Sequence, residues 1–155
     1  MEFSPEALKR FEAIVARYPK KEAAMLPVLY LAQEEFGYLS EESIAYVAKL
    51  MDQSPARVRG VVTFYTMLNT KPVGRHHIQV CRTLSCALAG AEKITRYISS
   101  NLGISPGETT ADGRFTLSEV ECLASCGTGP MMQINDDYYE GLTEKTVGEI
   151  LKSLK

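Results

Sequence analysis

The sequence predicts an α+β chain in two parts. A small helical bundle over residues 1–72 is followed by a four-stranded sheet lobe with flanking helices over 73–155. Three observations carry that prediction. Up to about residue 70, apolar residues recur at helical spacing between capping signals. From His76 onward the period becomes that of strands, with turn residues between short apolar runs. All four cysteines fall in this second part, as CRTLSC at 81–86 and CLASC at 122–126, each directly after a predicted strand.

In the first part, Ser4 followed by Pro5 and Glu6 starts a helix. The hydroxyl caps it, the proline loses no amide bond, and the acid lies near the positive end. Leu8, Phe11, Ile14 and Val15 give that helix an apolar face, and Pro19 ends it. A second helix runs from about Glu22 to Phe36, with Met25, Leu26, Leu29 and Tyr30 on one side and Gly37 as terminator. Pro27 is tolerable there only if the helix starts late or bends. Ser40 caps a third helix over 41–51, with Ile44, Val47, Ala48 and Met51 inward, and Ser54-Pro55 starts a fourth. The run GVVTFYTMLNTKPVG at 60–74 continues that helix to about Tyr65. A loop closed by Pro72 and Gly74 then makes the boundary between the two parts.

In the second part, strand 76–81 is followed by a helix over about 88–102, with Ile94, Tyr97 and Ile98 inward and Gly103 at its end. The turn-rich GISPGETTADG leads to a strand over 115–121. MMQIN at 131–135 and YYEGL at 138–142 read as a hairpin with its turn at Asp136-Asp137, and Thr143 caps a last helix. The order β-α-β, then β-β-α, is that of a thioredoxin-like lobe. A crossover helix between parallel strands sets their carboxyl ends side by side, about 4.8 Å apart, so the two cysteine loops converge.

Composition narrows the function classes. With 45% hydrophobic and 23% charged residues the chain is ordinary for a globular protein, and a net charge of −2 without a basic block gives no basis for a nucleic-acid partner. No apolar run approaches the roughly 18 residues of a membrane span, so no direct membrane insertion is expected. The amino terminus MEFSPEALKRFE lacks the apolar core of a secretory signal. A reducing compartment, the cytoplasm or its equivalent, follows as the expectation. There, paired cysteines are more often metal ligands or redox catalysts than structural disulfides.

Three chemistries compete for Cys81, Cys86, Cys122 and Cys126, with two disulfides as a fourth outcome. Zinc takes four thiolates, and intervals of four and three residues lie within its range. Thiol–disulfide exchange normally uses C-x-x-C at a helix start, which is absent here. A [2Fe–2S] cluster needs two thiolates on each iron, which two loops with a cysteine pair each supply. Such a cluster is a dianion that becomes a trianion on reduction, so it must be met by amides rather than carboxylates. Both loops are rich in Thr, Ser and Gly, and neither 82–91 nor 123–130 contains an acid. Gly127 and Gly129 would permit positive φ and close approach. The same features suit a zinc tetrathiolate, so the residues alone raise the two metal readings together.

The pattern C-x4-C, a gap of 35 residues, then C-x3-C resembles the thioredoxin-like [2Fe–2S] ferredoxins. More narrowly it resembles the family of E subunits (24-kilodalton subunits) of NADH–quinone oxidoreductase, respiratory complex I. The likeness extends to Gly37-Tyr38-Leu39, GVVTFYTML at 60–68, ETT-x-DG-x-FTL at 108–117, EVECLASC at 119–126 and PMMQINDDYYEGLT at 130–143. It spans about residues 10–150. The resemblance implies that Cys81 and Cys86 bind one iron and Cys122 and Cys126 the other. It implies an electron-transfer subunit, without catalytic activity as an isolated chain, docked on the flavin- and NADH-binding subunit (the F or 51-kilodalton type). FMN and NADH would be bound by that partner, in keeping with the lack of a G-x-G-x-x-G loop here. The complex would hold the chain on the cytoplasmic side of the inner membrane, or the matrix side in a mitochondrion. An equivalent subunit of an NAD-linked formate dehydrogenase or hydrogenase is the alternative, and a zinc-stabilised interaction module is the alternative of another class.

Several residues have a plainer reading beside the sharp one. His76 and His77 would be ligands only in a Rieske-type centre, and four cysteines already fill the count, so they read as strand residues. Pro130 is a candidate cis proline by analogy with thioredoxin-like folds. Phe64, Tyr65 and Met67 either face a partner or, as an apolar stripe more often does, belong to the core, and Tyr138 and Tyr139 read as one buried and one free. Arg82 either tunes the cluster by its charge or is solvated.

Overall fold

The computed structural model describes residues 1–154, and its contacts divide the chain into one unit over Met1–Pro72 and a second from Val73 onward. The first unit holds helices α1 (Pro5–Val15), α2 (Met25–Phe36), α3 (Glu41–Met51) and α4 (Pro55–Phe64). The second holds strands β1 (His76–Cys81), β2 (Phe115–Val120), β3 (Met132–Ile134) and β4 (Asp137–Tyr139), with helices α5 (Leu84–Leu88), α6 (Ala91–Leu102) and α7 (Glu144–Ser153).

Three of the four helices of the first unit begin on a serine. The hydroxyls of Ser4, Ser40 and Ser54 accept the amides of Ala7, Ser43 and Arg57, each cap contributing about 1 kcal/mol. The α-helix α2 starts late, at Met25 after a 3-10 turn over Lys21–Ala24, which places Pro27 in its first turn where no intrahelical bond is lost. Gly37 ends it at φ +81°. The core gathers Val28, Leu29, Ala32, Ile44, Val47, Met51, Val58 and Val62. Beside them Phe3 stacks on Phe36 at 5.4 Å and meets Tyr46 edge-on at 5.3 Å. Two expectations fail here. Leu8 and Tyr30 are exposed, because α1 packs through Ala7 and Phe11 and the preceding Phe3 rather than through Leu8. Phe64 and Met67 are exposed as well, since α4 closes at Phe64 and the chain turns outward, leaving Tyr65 half-buried and Leu68 to return to the core.

In the second unit the sheet order is β2-β1-β3-β4. β1 and β2 are parallel, with His76 opposite Phe115 and Cys81 opposite Val120, while β3 runs antiparallel to both β1 and β4. Ile78, Val80, Leu117, Met132 and Ile134 pack with Ile94 and Ile98 of α6 and Val147 of α7 in one core. Burial of each large apolar side chain contributes about 1.5–3 kcal/mol. Thr143 caps α7 in a reciprocal box with Thr146. The exposed edge of β2 is covered by residues 107–110, whose backbone bonds Phe115 and Leu117. Gly74 enters the sheet against Phe115, and a β-carbon there would lie 2.8 Å from the Phe115 carbonyl carbon.

The hairpin differs from expectation in detail. Ile134 pairs with Asp137, so the turn is Asn135-Asp136 with Asn135 at φ +54°, and both strands are only three residues long. Tyr139 is half-buried and Tyr138 exposed. The helix expected over about 88–102 is α6, which starts at Ala91, and the loop expected before it holds the short helix α5. A left-handed Gly90 separates α6 from the short α5, which carries Cys86.

Candidate metal centre

Both cysteine loops leave the sheet at the carboxyl ends of its parallel pair. Cys81 closes β1, and its amide bonds the Met131 carbonyl at 3.2 Å, fixing it against the hairpin side as well. The chain then turns at Thr83 into α5, whose single full turn buries Cys86. On the other strand, Cys122 follows β2 by two residues and lies exposed, and Cys126 opens a 3-10 turn over Cys126–Thr128, also exposed. None of the four is in a disulfide.

Backbone amides point at these sulfurs. The Ala124 N–H donates to Cys122 Sγ at 3.3 Å, and it can do so because Ala124 takes the left-handed φ of +62°. Neither Gly127 nor Gly129 has a positive φ, contrary to expectation. The glycine that matters is Gly129, which gives close approach: a β-carbon there would lie 3.3 Å from Cys86 Sγ. The Gly129–Pro130 peptide bond is cis. Thr128 anchors the second loop by donating to Glu140 at 2.7 Å and accepting the Gly141 amide at 2.7 Å.

The thiols differ in character. Burial works against ionisation of Cys81, but the amides of Thr83 and Leu123, the Cys86 thiol and the Thr83 hydroxyl outweigh it and hold its pKa below the ordinary value. Cys86 is pushed up, first by burial, then by its hydrogen bond with Cys81 and the negative charge of Cys81 and Cys126, with the Met131 backbone opposing. Groups from both loops thus act on the same two sulfurs: Leu123 on Cys81, and Cys126 on Cys86. Among the described residues, no three His, Cys, Asp or Glu side chains are arranged to hold one ion in common. A donor set made only of thiols, half buried and half at the surface, within a cradle of amides, fits an iron–sulfur cluster with two thiolates per iron.

His76 packs its ring on Phe115 at 5.4 Å, and His77 Nε2 lies 2.8 Å from Ser118 Oγ, so both are occupied within the sheet. Arg82 is exposed to solvent but is not a lone cation, for it pairs with Glu121 at 2.5 Å. Sequence reasoning missed that partner. The signal was present in the symmetry of the two segments, Cys81-Arg82 on one strand end and Glu121-Cys122 on the other.

The family model of thioredoxin-like [2Fe-2S] ferredoxins matches residues 11–155. The E subunit of the NADH-quinone oxidoreductase of Rickettsia conorii is 45% identical over 99% of this chain and 93% of its own length. The NADH-quinone oxidoreductase subunit 2 of Thermus thermophilus is 43% identical over 93% of this chain and 81% of its own. Among solved structures, an NAD+-reducing [NiFe]-hydrogenase in the air-oxidized state superimposes with a TM-score of 0.74 over 84% of this chain, at 19% identity. The match spans 22% of that longer chain. At that identity the likeness is one of fold.

Proposed function

The chain belongs to the thioredoxin-like [2Fe-2S] ferredoxins, and from that premise we propose that it is the electron-transfer subunit of an NADH-oxidising complex of the NADH–quinone oxidoreductase kind. Relatives of that name match it over 93% and 81% of their own length. The observation that carries the reading is that the two cysteine-pair loops leave adjacent parallel strands at the same end and meet, a β-carbon on Gly129 of the second lying 3.3 Å from Cys86 Sγ of the first. Cys81 and Cys86 would hold one iron, and Cys122 and Cys126 the other. The bound cluster supplies a one-electron acceptor and donor.

The chain's own residues prepare that role. The amides of Thr83, Leu123 and Ala124 stabilise thiolate sulfur without adding a proton that must be moved. Cys86, inside the lobe, keeps one side of the centre away from water, while exposed Cys122 and Cys126 bring the other to the surface. An electron therefore has a short way in and out on the Cys122–Cys126 side. FMN and NADH bind to the flavin-bearing partner, against which this side is presented. No helix among the described residues is long and apolar enough to cross a membrane. The complex holds the chain at the inner membrane, on its cytoplasmic side or, in a mitochondrion, on the matrix side.

The test is anaerobic purification followed by visible absorption, iron and labile-sulfide analysis, and electron-spin resonance after reduction. A reddish-brown protein with two irons and two sulfides per chain is expected. A colourless, zinc-containing protein would overturn the reading. Identification of the co-purifying subunits separates complex I from a formate dehydrogenase or a hydrogenase.

A further inference from the structure

Arg82 immediately follows Cys81, and Glu121 immediately precedes Cys122. Because β1 and β2 are parallel neighbours, the two side chains leave the sheet at the same end. There the Arg82 guanidinium gives two hydrogen bonds to one oxygen of Glu121, from Nε at 3.1 Å and from Nη2 at 2.5 Å. The main chain adds one tie: Arg82 N–H donates to the Val120 carbonyl at 2.9 Å. Four further ion pairs of the described residues lie within the first unit or within one turn of α6. Arg82–Glu121 is thus the pair that spans the two cysteine loops.

We infer that Arg82 and Glu121 form a charge-neutral clasp that fixes the separation of the two cysteine loops, both acting as positioning residues for the cluster. The inference rests on the iron–sulfur reading above. Its physical basis is the sign of what lies between the loops. An anionic centre attracts a lone cation and repels a lone carboxylate, so either residue alone would pull or push its own loop. Paired, they cancel at long range and hold each other at short range. Both side chains are well exposed, so the tie is a modest one that salt weakens. It acts where modest displacements matter, since Cys81 and Cys122, each next to a member of the pair, would both ligate the one cluster.

The experiment compares wild type, Arg82→Gln, Glu121→Gln and the charge-swapped double variant Arg82→Glu with Glu121→Arg, all as anaerobically purified protein. Loss of visible absorbance to a ferrous chelator is followed at low and at high salt, and the one-electron midpoint potential is measured. Each single variant is expected to lose its cluster about 2–5-fold faster at low salt, with the difference vanishing at high salt. The potentials should move apart: down in Arg82→Gln, where the carboxylate is left alone, and up in Glu121→Gln, where the cation is left alone. The swapped variant should return both readings toward wild type, which a merely structural role would not predict for the potential. Unchanged lifetimes in both single variants, potentials that move together, or failure of the swap to restore them would overturn the clasp. Iron-free wild-type protein would instead sink the underlying cluster reading and the clasp with it, and the wild-type spectrum distinguishes that case at the outset.

Discussion

Gly129 and Cys86 stand so close that the smallest side chain at residue 129 would come within 3.3 Å of the Cys86 sulfur. The contact joins the second cysteine loop to α5 of the first. It leaves Cys86 no room to retreat, because Cys86 is itself buried in the sheet core. Replacement of Gly129 by alanine should therefore lower the iron content per chain and broaden the electron-spin signal. The melting of the helical unit, followed by helical circular dichroism, should not change. Full iron and an unaltered signal would show that the loop can give way.

Cys122→Ser tests the ligand assignment from the exposed side. Cys122 is exposed and accepts the Ala124 amide, so its loss should weaken or abolish the cluster without unfolding either unit. Retention of two irons per chain and the wild-type spectrum would remove Cys122 from the ligand set.

Gly74→Ala should destabilise the sheet unit by about 1–3 kcal/mol, the usual range for forcing atoms into filled space. The added carbon would lie 2.8 Å and 2.9 Å from backbone atoms of Phe115, which cannot swing aside as a side-chain tip could. The Gly74 amide is also bound there, to Thr116 Oγ1 at 2.6 Å. Chemical denaturation gives the value, and an unchanged midpoint would mean that the strand shifts at no cost.

His77 gives the sheet a pH dependence with a defined sign. Burial lowers its pKa from 6.5, so the folded protein favours the neutral ring. Its contribution is present above the unfolded value and is lost as the pH falls through the lower, folded value. Unfolding midpoints measured from pH 7.5 down to about 5 should decline more steeply in wild type than in His77→Gln. Parallel curves would show that the ring is hydrated in the folded state.

Capping chemistry and apolar period made most of the helical unit legible, because Ser4, Ser40 and Ser54 each act within three residues of themselves. What stayed hidden depended on neighbours far along the chain. Leu8 fits the stripe of α1 as well as Phe11 does, yet it is exposed while Phe3, outside the helix, is buried. The four cysteines were legible as a set through their pairing in sequence. The short α5 was not, since five residues offer no periodicity to read. Nor was the left-handed Ala124, which tight-loop geometry imposes against the residue's own preference. The turn at Asn135-Asp136 lies one residue before the expected Asp136-Asp137 because Asn135 and Asp137 are equally good turn formers beside Asp136, and the pairing of Ile134 with Asp137 decides between them.

The stretch from 103 to 114 returns the chain to the start of β2, the far end of that strand from Cys122. The interval between the two cysteine pairs is therefore not a ruler. Residues added or removed at the tip of that return, around Asp112 and Gly113, would alter the count while the strand ladder kept the sulfurs at their stations. Searches for distant kin should accordingly leave that distance free and hold fixed the short motifs on either side.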